Sequence, residues 1–291
     1  MKKAKILVCC HKAWDVPNDD IFTPIHVGKA LSQQDLGYLG DDFGDNISLK
    51  NRGYCELTAL YWAWKNLKEV NYVGLNHYRR FFDVNIKRVD DIEKLLKDVD
   101  IVLPSKEILG ITNGFYFQSF VTMENWYLVQ ATILKLFPEY KKEMVDYYYN
   151  SNGWNRFNMF ITRWEIFDGF CNFMFPILEE LEKIVKPSGY GRINRLYGYV
   201  GETLWQIYVR HNKLKVRYVL PIETQRPKGS VLVNLYRKVV FNFAFKLCHP
   251  LKVHTPKYSA AVLTGLKADG INVDILSEDR GFRDKFVNTQ F

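Results

Sequence analysis

The residues best suited to chemistry are gathered in about 40 positions near the amino terminus. One cluster is Asn76-His77-Tyr78-Arg79-Arg80-Phe81-Phe82, directly after the apolar run Tyr72-Val73-Gly74-Leu75. The run reads as a buried strand, and open α/β sheets bind ligands outside the carboxyl ends of such strands. His77, Arg79 and Arg80 placed there predict a site for an anionic group, most simply a phosphate, because a guanidinium fork matches phosphate oxygens bidentately. The competing reading is that Arg79 and Arg80 form salt bridges and that His77 makes a core hydrogen bond. A second cluster, Gly40-Asp41-Asp42-Phe43-Gly44-Asp45-Asn46-Ile47-Ser48, is rich in carboxylates beside glycine. Asp and Asn next to Gly also build turns, and the terminal glutamate of a calcium loop is missing.

The elements that must carry these residues follow from the pattern of apolar positions. Strands are expected at Lys5–Cys10, Tyr72–His77, Asp100–Pro104, Asn158–Thr162 and Val216–Pro221. Helices are expected at Tyr54–Val70, Asp90–Asp98, Met123–Leu136, Glu139–Tyr149, Trp164–Lys186 and Gly201–Asn212. The first helix lies between the two clusters and aligns Leu57, Leu60, Tyr61, Trp64 and Leu67 on one face. Strands separated by helices predict an α/β class with a mixed, mainly parallel sheet.

Composition agrees with a folded chain. Its 291 residues are 47% hydrophobic, 15% aromatic and 25% charged, enough apolar surface for a sizeable core and unlike a disordered sequence. The start, Met1-Lys2-Lys3-Ala4-Lys5, leads into Ile6-Leu7-Val8-Cys9-Cys10 and then His11, Lys12 and Asp15. That apolar run is too short for a signal peptide and reads as a first strand. No run of about 18 apolar residues predicts a membrane span. The five cysteines lack a C-x-x-C spacing, which predicts reduced thiols in the cytoplasm and neither a disulfide framework nor a zinc site.

The formal net charge of +8 is unevenly spread. From Arg226 to Tyr258 there is no Asp or Glu, while Arg226, Lys228, Arg237, Lys238, Lys246, Lys252 and Lys257 contribute about +7. Leu235, Val239, Phe243 and Leu247 interleave with them. This basic amphipathic carboxyl-terminal segment reads as a helix on an anionic membrane surface, or, more simply, as a packed helix with solvated lysines. No nucleic-acid module accompanies the charge. The division expected is a catalytic domain over 1–226 and a basic extension over 227–291.

Together, Gly-Asp-Asp-x-Gly-Asp-Asn-Ile-Ser, Tyr-Cys-Glu-Leu-Thr-Ala-Leu-Tyr-Trp-x-Trp-Lys-Asn and His-Tyr-Arg-Arg-x-Phe closely resemble a family of bacterial glycosyltransferases from capsule and O-antigen clusters, long labelled a domain of unknown function. The resemblance runs from Lys5 to about Glu223. It implies a GT-A-like nucleotide-sugar-binding fold and hexosyl transfer to a lipid-linked acceptor in capsule, O-antigen or exopolysaccharide assembly. Some relatives are galactofuranosyltransferases, which makes UDP-galactofuranose or another UDP-hexose the candidate donor. The chain departs from the family pattern at Gln118-Ser119-Phe120-Val121, where relatives often carry histidines, and at Thr203, where they often carry arginine.

Glycosyl transfer needs stabilisation of a leaving diphosphate and, in the inverting case, a carboxylate base. In place of a metal-binding Asp-x-Asp after the central strand, the chain carries His77, Arg79 and Arg80, so no cofactor is expected. A divalent metal (Mn or Mg) held by Asp41, Asp42 and Asp45 is the alternative. Glu202, opening a helix after Gly198-Tyr199-Val200-Gly201, resembles the carboxylate that GT-A transferases place late in their catalytic domain, and the resemblance makes it the expected catalytic base. Its bland counterpart is a carboxylate favouring the helix dipole. Donor contacts are expected from His11, Lys12 and Trp14 after the first strand, from Asp42, Asp45 and Asn46, from His77, Arg79 and Arg80, and from Asn158 and Arg195. A non-catalytic nucleotide-sugar- or glycan-binding partner of an assembly complex is the rival function. A peripheral position at the inner face of the cell membrane completes the expectation.

Overall fold

The computed structural model describes residues 2–186, 188, 190–191, 193–223, 231–251 and 259–277. Of the basic segment, Arg226-Pro227-Lys228-Gly229, Lys252 and Lys257 lie outside these described residues. In chain order the elements begin with strands β1 (Ala4–Cys10), β2 (Phe22–His26) and β3 (Leu39–Gly40), then helices α1 (Asn51–Tyr54) and α2 (Leu57–Asn66). Strands β4 (Tyr72–His77) and β5 (Arg80–Phe82), helix α3 (Val89–Leu95), and strands β6 (Ile101–Pro104) and β7 (Glu107–Ile108) follow. Next come α4 (Asn113–Gln118), α5 (Met123–Leu136), α6 (Lys141–Asn150), β8 (Gly153–Trp154), β9 (Phe160–Arg163) and α7 (Trp164–Ile184). The remainder is α8 (Leu196–His211), β10 (Val216–Val219), β11 (Pro221–Glu223), α9 (Val231–Cys248), α10 (Ala260–Ala268) and α11 (Asp274–Ser277).

The chain divides into two units. The first, Met1–Lys106 with Asn155–Phe175 and Val200–Gly229, holds a mixed sheet in the order β10-β6-β9-β4-β1-β2-β3, extended by β5 and β11. β1 pairs parallel with β2 and β4, β2 with β3, and β10 with β6; β9 alone runs antiparallel in that series, between β4 and β6. The expected mixed, mainly parallel α/β sheet is therefore present. Alternation along the strands divides the core. Ile6, Tyr72, Val102, Met159 and Ile161 gather on one face with Ile92 and Leu96 of the α3 region. On the other face Phe160 stacks on Phe167 of α7 and packs against Trp205 of α8. Gly74 at the sheet centre is needed for space, since a Cβ there would stand 2.9 Å from the Phe160 carbonyl.

The structure departs from the expected elements in places with a physical cause. The helix expected over Tyr54–Val70 is broken at Cys55, whose φ of 53° and ψ of −130° end α1 and restart the chain as α2. Helix α8 starts at Leu196 and not at Gly201, which places Glu202 in the helix interior; a first-turn dipole role does not apply to it. Strand β2 was hidden by Pro24, tolerated because β3 covers only Ile25 and His26 and leaves the proline on an open flank.

The second unit, Glu107–Trp154, Pro176–Tyr199 and Ser230–Phe291, includes α4, α5 and α6 around an aromatic core of Phe117, Trp126, Tyr147, Tyr148 and Trp154. Thr112 and Thr122 cap α4 and α5 by accepting the Phe115 and Asn125 amides. Buried Tyr149 donates its hydroxyl to Gln130 Oε1 at 2.7 Å, and burial raises its pKa well above the ordinary value. Helix α9 leans on this unit through Asn242, whose Oδ1 accepts from Asn152 Nδ2 at 3.3 Å. No helix among the described residues is long and apolar enough to cross a membrane.

Candidate functional site

Sheet order fixes where a ligand can enter the first unit. From β1 the chain goes to β2 and β3 on one side, then crosses to β4 on the other, so the strand order reverses between β1 and β4. Such a switch point leaves a crevice at the carboxyl ends of its two strands. Here those ends are Cys9 and Cys10, followed by His11 and Lys12, and His77, followed by Tyr78 and Arg79; Cys9 and His77 are register partners.

Tyr78 is the hub of this edge. Its ring is buried and meets His11 edge-on at 4.9 Å and Trp14 at 5.3 Å between centroids. Lys12 Nζ lies 5.0 Å from the Trp14 ring and 5.8 Å from Tyr78, and the Arg79 guanidinium lies 5.0 Å from Tyr78. Trp14 is fixed in turn by Tyr38, whose hydroxyl accepts the Trp14 amide at 3.2 Å and donates to its carbonyl at 2.7 Å. Aromatic faces with cations spread over them can stack a nucleobase and neutralise phosphate together. Arg80 departs from this group. It starts β5, forms an ion pair with Glu223 at 2.9 Å, and lies over the Phe157 ring at 4.4 Å.

A second constellation joins His77 to the residues before β9. His77 Nε2 is 2.6 Å from the Phe157 carbonyl; a carbonyl only accepts, so Nε2 carries the proton and donates. The Phe157 amide donates to Glu202 Oε1 at 2.8 Å, and Asn158 Nδ2 donates to Glu56 Oε1 at 2.8 Å. His77 Nε2 also lies 3.8 Å from Glu56 Oε1. Phe157 and Asn158 have φ of 83° and 50°, backbone that costs on the order of 1–3 kcal/mol per residue and persists only where surroundings over-determine it. His77, Glu56 and Glu202 supply that constraint. Sequence reasoning placed His77, Asn158 and Glu202 among the candidates and missed Glu56, Tyr78 and Phe157. No local signal marked Glu56, which stands at the head of α2 where a glutamate reads as solvated.

The acidic cluster divides in two. Asp41 is fully buried and accepts from the Gly28 and Lys29 amides, Ser48 Oγ and Thr58 Oγ1, so both its oxygens are engaged in building the turn. Asp42 and Asp45 are exposed; Asp45 Oδ1 accepts from the Tyr61 hydroxyl at 3.2 Å, and Asn46 bonds within its own turn. Among the described residues no group of three or more His, Cys, Asp or Glu is arranged to hold a metal ion. Arg195 lies in the second unit, its guanidinium 5.7 Å from the Tyr199 ring.

Electrostatics sharpen the first unit's ligand edge. Burial keeps the Cys9 thiol well above its ordinary range, reinforced by the charge of Glu56, and pushes Cys10 up to about 12, so neither is a nucleophile. At the end of β6, Lys106 is lowered to about 8 by burial and then by the Arg210 charge, with Nζ 4.7 Å from the Tyr218 ring.

Residues 5–213 match the profile of a family described as a domain of unknown function, DUF4422. The chain belongs to the DUF4422 family. The match opens in β1 and closes just after α8, so it takes in the switch point, Glu56, the Phe157–Asn158 turn and Glu202. Among solved structures, this DUF4422 chain is similar to the apo structure of WbbM, a bifunctional glycosyltransferase, with 29% identity and a TM-score of 0.72. The alignment covers 77% of this chain and 46% of that one, so the DUF4422 chain spans less than half of WbbM's length. No protein with a curated description matches it.

Proposed function

We propose that this chain is a glycosyltransferase that moves a hexose from a nucleotide sugar to a lipid-linked glycan in the assembly of capsule, O-antigen or exopolysaccharide. The observation that carries the reading is the cluster of Lys12, Trp14, Tyr78 and Arg79 at the β1/β4 switch point, and the likeness to WbbM supports it. In this reading Trp14 offers an aromatic face to the base, while His11, Lys12 and Arg79 receive the diphosphate through charge-assisted hydrogen bonds. His77 and Asn158 face the sugar, and a carboxylate held at the Phe157–Asn158 turn takes the acceptor's proton. Asp42, Asp45 and Asn46 remain candidates for sugar hydroxyls, and Arg195 for an anionic substrate group. The acceptor oxygen attacks the anomeric carbon, and the bond from that carbon to the diphosphate breaks. The electron pair leaves with the phosphate, where fixed cations stabilise it.

Helix α9 supports a position at a membrane face. Leu235, Val239, Phe243 and Leu247 recur at helical spacing and are each more than half exposed, beside exposed Arg237, Lys238 and Lys246. An anionic lipid surface complements that combination of apolar stripe and positive charge.

The deciding experiment is a donor panel, UDP-galactofuranose first, with a lipid-linked acceptor and product detection by mass spectrometry, with and without chelator. Transfer that survives EDTA is expected, because Asp41 is already saturated by protein donors. Loss with EDTA and recovery with manganese would return attention to Asp42 and Asp45. Donor binding without transfer under every condition would favour a binding partner of an assembly complex.

A further inference from the structure

We propose that Glu56 is the carboxylate that takes the acceptor's proton, and that Glu202 and Asn158 position it. The inference rests on the transferase reading above and assigns a role within it. Glu56 stands at the amino-terminal end of α2, against His77 at the carboxyl end of β4, and so at the β1/β4 switch point. Its side chain is 11% exposed: withdrawn from bulk water, yet reachable.

The bonding of Glu56 is unusual for a structural carboxylate. Oε1 is held by Asn158 Nδ2 at 2.8 Å, while among the described residues Oε2 has no hydrogen-bond partner and neither oxygen pairs with Lys or Arg. A largely buried carboxylate is costly unless paired and fully hydrogen-bonded; compare Asp41, whose oxygens share backbone and hydroxyl donors. Glu56 thus presents one anchored oxygen and one open oxygen, the arrangement a proton acceptor needs.

Glu202 has a different task. Its Oε1 accepts the Phe157 amide, whose carbonyl accepts from His77. The two bonds hold the Phe157–Asn158 peptide in its left-handed conformation, and that conformation aims Asn158 Nδ2 at Glu56. The neighbouring Gly201 leaves the space for Asn158 and Leu57 to approach α8. Glu202 therefore acts through Asn158 on Glu56. On transfer, the acceptor's O–H proton passes to Glu56 Oε2 as the new carbon–oxygen bond forms and the diphosphate leaves with its electron pair.

The test compares Glu56→Gln, Glu56→Asp and Glu202→Gln in the full chain, with thermal unfolding, donor Kd and kcat for each. Glu56→Gln keeps an acceptor for Asn158 and loses the base, so kcat should fall about 100-fold or more with donor Kd nearly unchanged. Glu56→Asp keeps the charge and should retain more turnover than Glu56→Gln, which preserves the test if the amide variant folds poorly. Glu202→Gln keeps an oxygen for the Phe157 amide and should lose less than Glu56→Gln. Near-normal kcat in Glu56→Gln, an equal or larger loss in Glu202→Gln, or Glu56→Asp falling below Glu56→Gln would each overturn the assignment. A wild-type chain inactive with every donor would instead remove the transferase reading, and this assignment with it.

Discussion

Gly201 of α8 stands so close to Asn158 that a Cβ on the glycine would lie 2.9 Å from Asn158 Oδ1, with both Leu57 methyls at 3.0 Å. The constraint is one of space and not of backbone angle. Overpacking of this kind typically costs about 1–3 kcal/mol. Gly201→Ala should therefore lower stability by that order in urea unfolding and reduce transfer further, because Asn158 is displaced from Glu56. Unchanged turnover in a folded Gly201→Ala chain would show that the Asn158–Glu56 contact is dispensable.

The adjacent arginines should separate by assay. Arg79 lies over Tyr78 at the ligand edge, whereas Arg80 is tied to Glu223. Arg79→Ala should weaken donor binding by about 1.5–3 kcal/mol, the range for hydrogen bonds to charged groups, with little change in melting temperature. Arg80→Ala should do the reverse, losing about 1 kcal/mol of stability with its ion pair to half-buried Glu223. Calorimetric titration and thermal melts on both variants read the two effects; equal loss of donor affinity would place both guanidinium groups on the phosphate.

Lys106 predicts a pH dependence of stability. Its folded pKa of about 8 lies below the ordinary 10.5, so between those values the unfolded chain holds the extra proton. Stability should therefore rise with pH across that window, and the penalty is fully present below it. Lys106→Met should flatten the rise and raise stability near neutral pH by about 1–2 kcal/mol, after discounting for the water that reaches the side chain. Urea midpoints at a series of pH values test this, and an unchanged slope in the variant would assign the rise to another group.

The exposed side of α9 predicts charge-dependent lipid binding. Each basic residue near an anionic surface contributes on the order of 1 kcal/mol, fading beyond the screening length. Replacing Arg237, Lys238 and Lys246 together by Gln should abolish sedimentation with anionic liposomes at physiological salt while donor binding persists. Equal binding of variant and wild type to neutral and anionic vesicles would reduce the stripe to a solvated face.

Much of the sheet was legible because a buried strand and a long helix write their period into the sequence. Tyr72–His77 and Met123–Leu136 were read with the bounds they have. What escaped was short or contradictory: β3 is two residues, β2 contains Pro24, and α8 extends back through Gly198 and Gly201, which read as punctuation. For the site, His77 and Arg79 were visible because they follow a strand. Glu56 was not, because a glutamate at the head of an amphipathic helix looks like a solvated position. Its partner is Asn158, 102 residues along the chain, and no local pattern encodes that meeting.

The family profile stops at residue 213, but the sheet does not. Strand β10 is the neighbour of β6, pairing Val216 with Ile101 through to Val219 with Pro104, and β11 covers β5. A chain ended at the profile's limit would bare the main-chain donors and acceptors of β6, a buried and strongly apolar strand, and offer a template on which another molecule's strand could add. The shortest piece of this protein that keeps β6 covered is thus longer than the piece its relatives make recognisable, and the ten residues after 213 close the sheet at that edge.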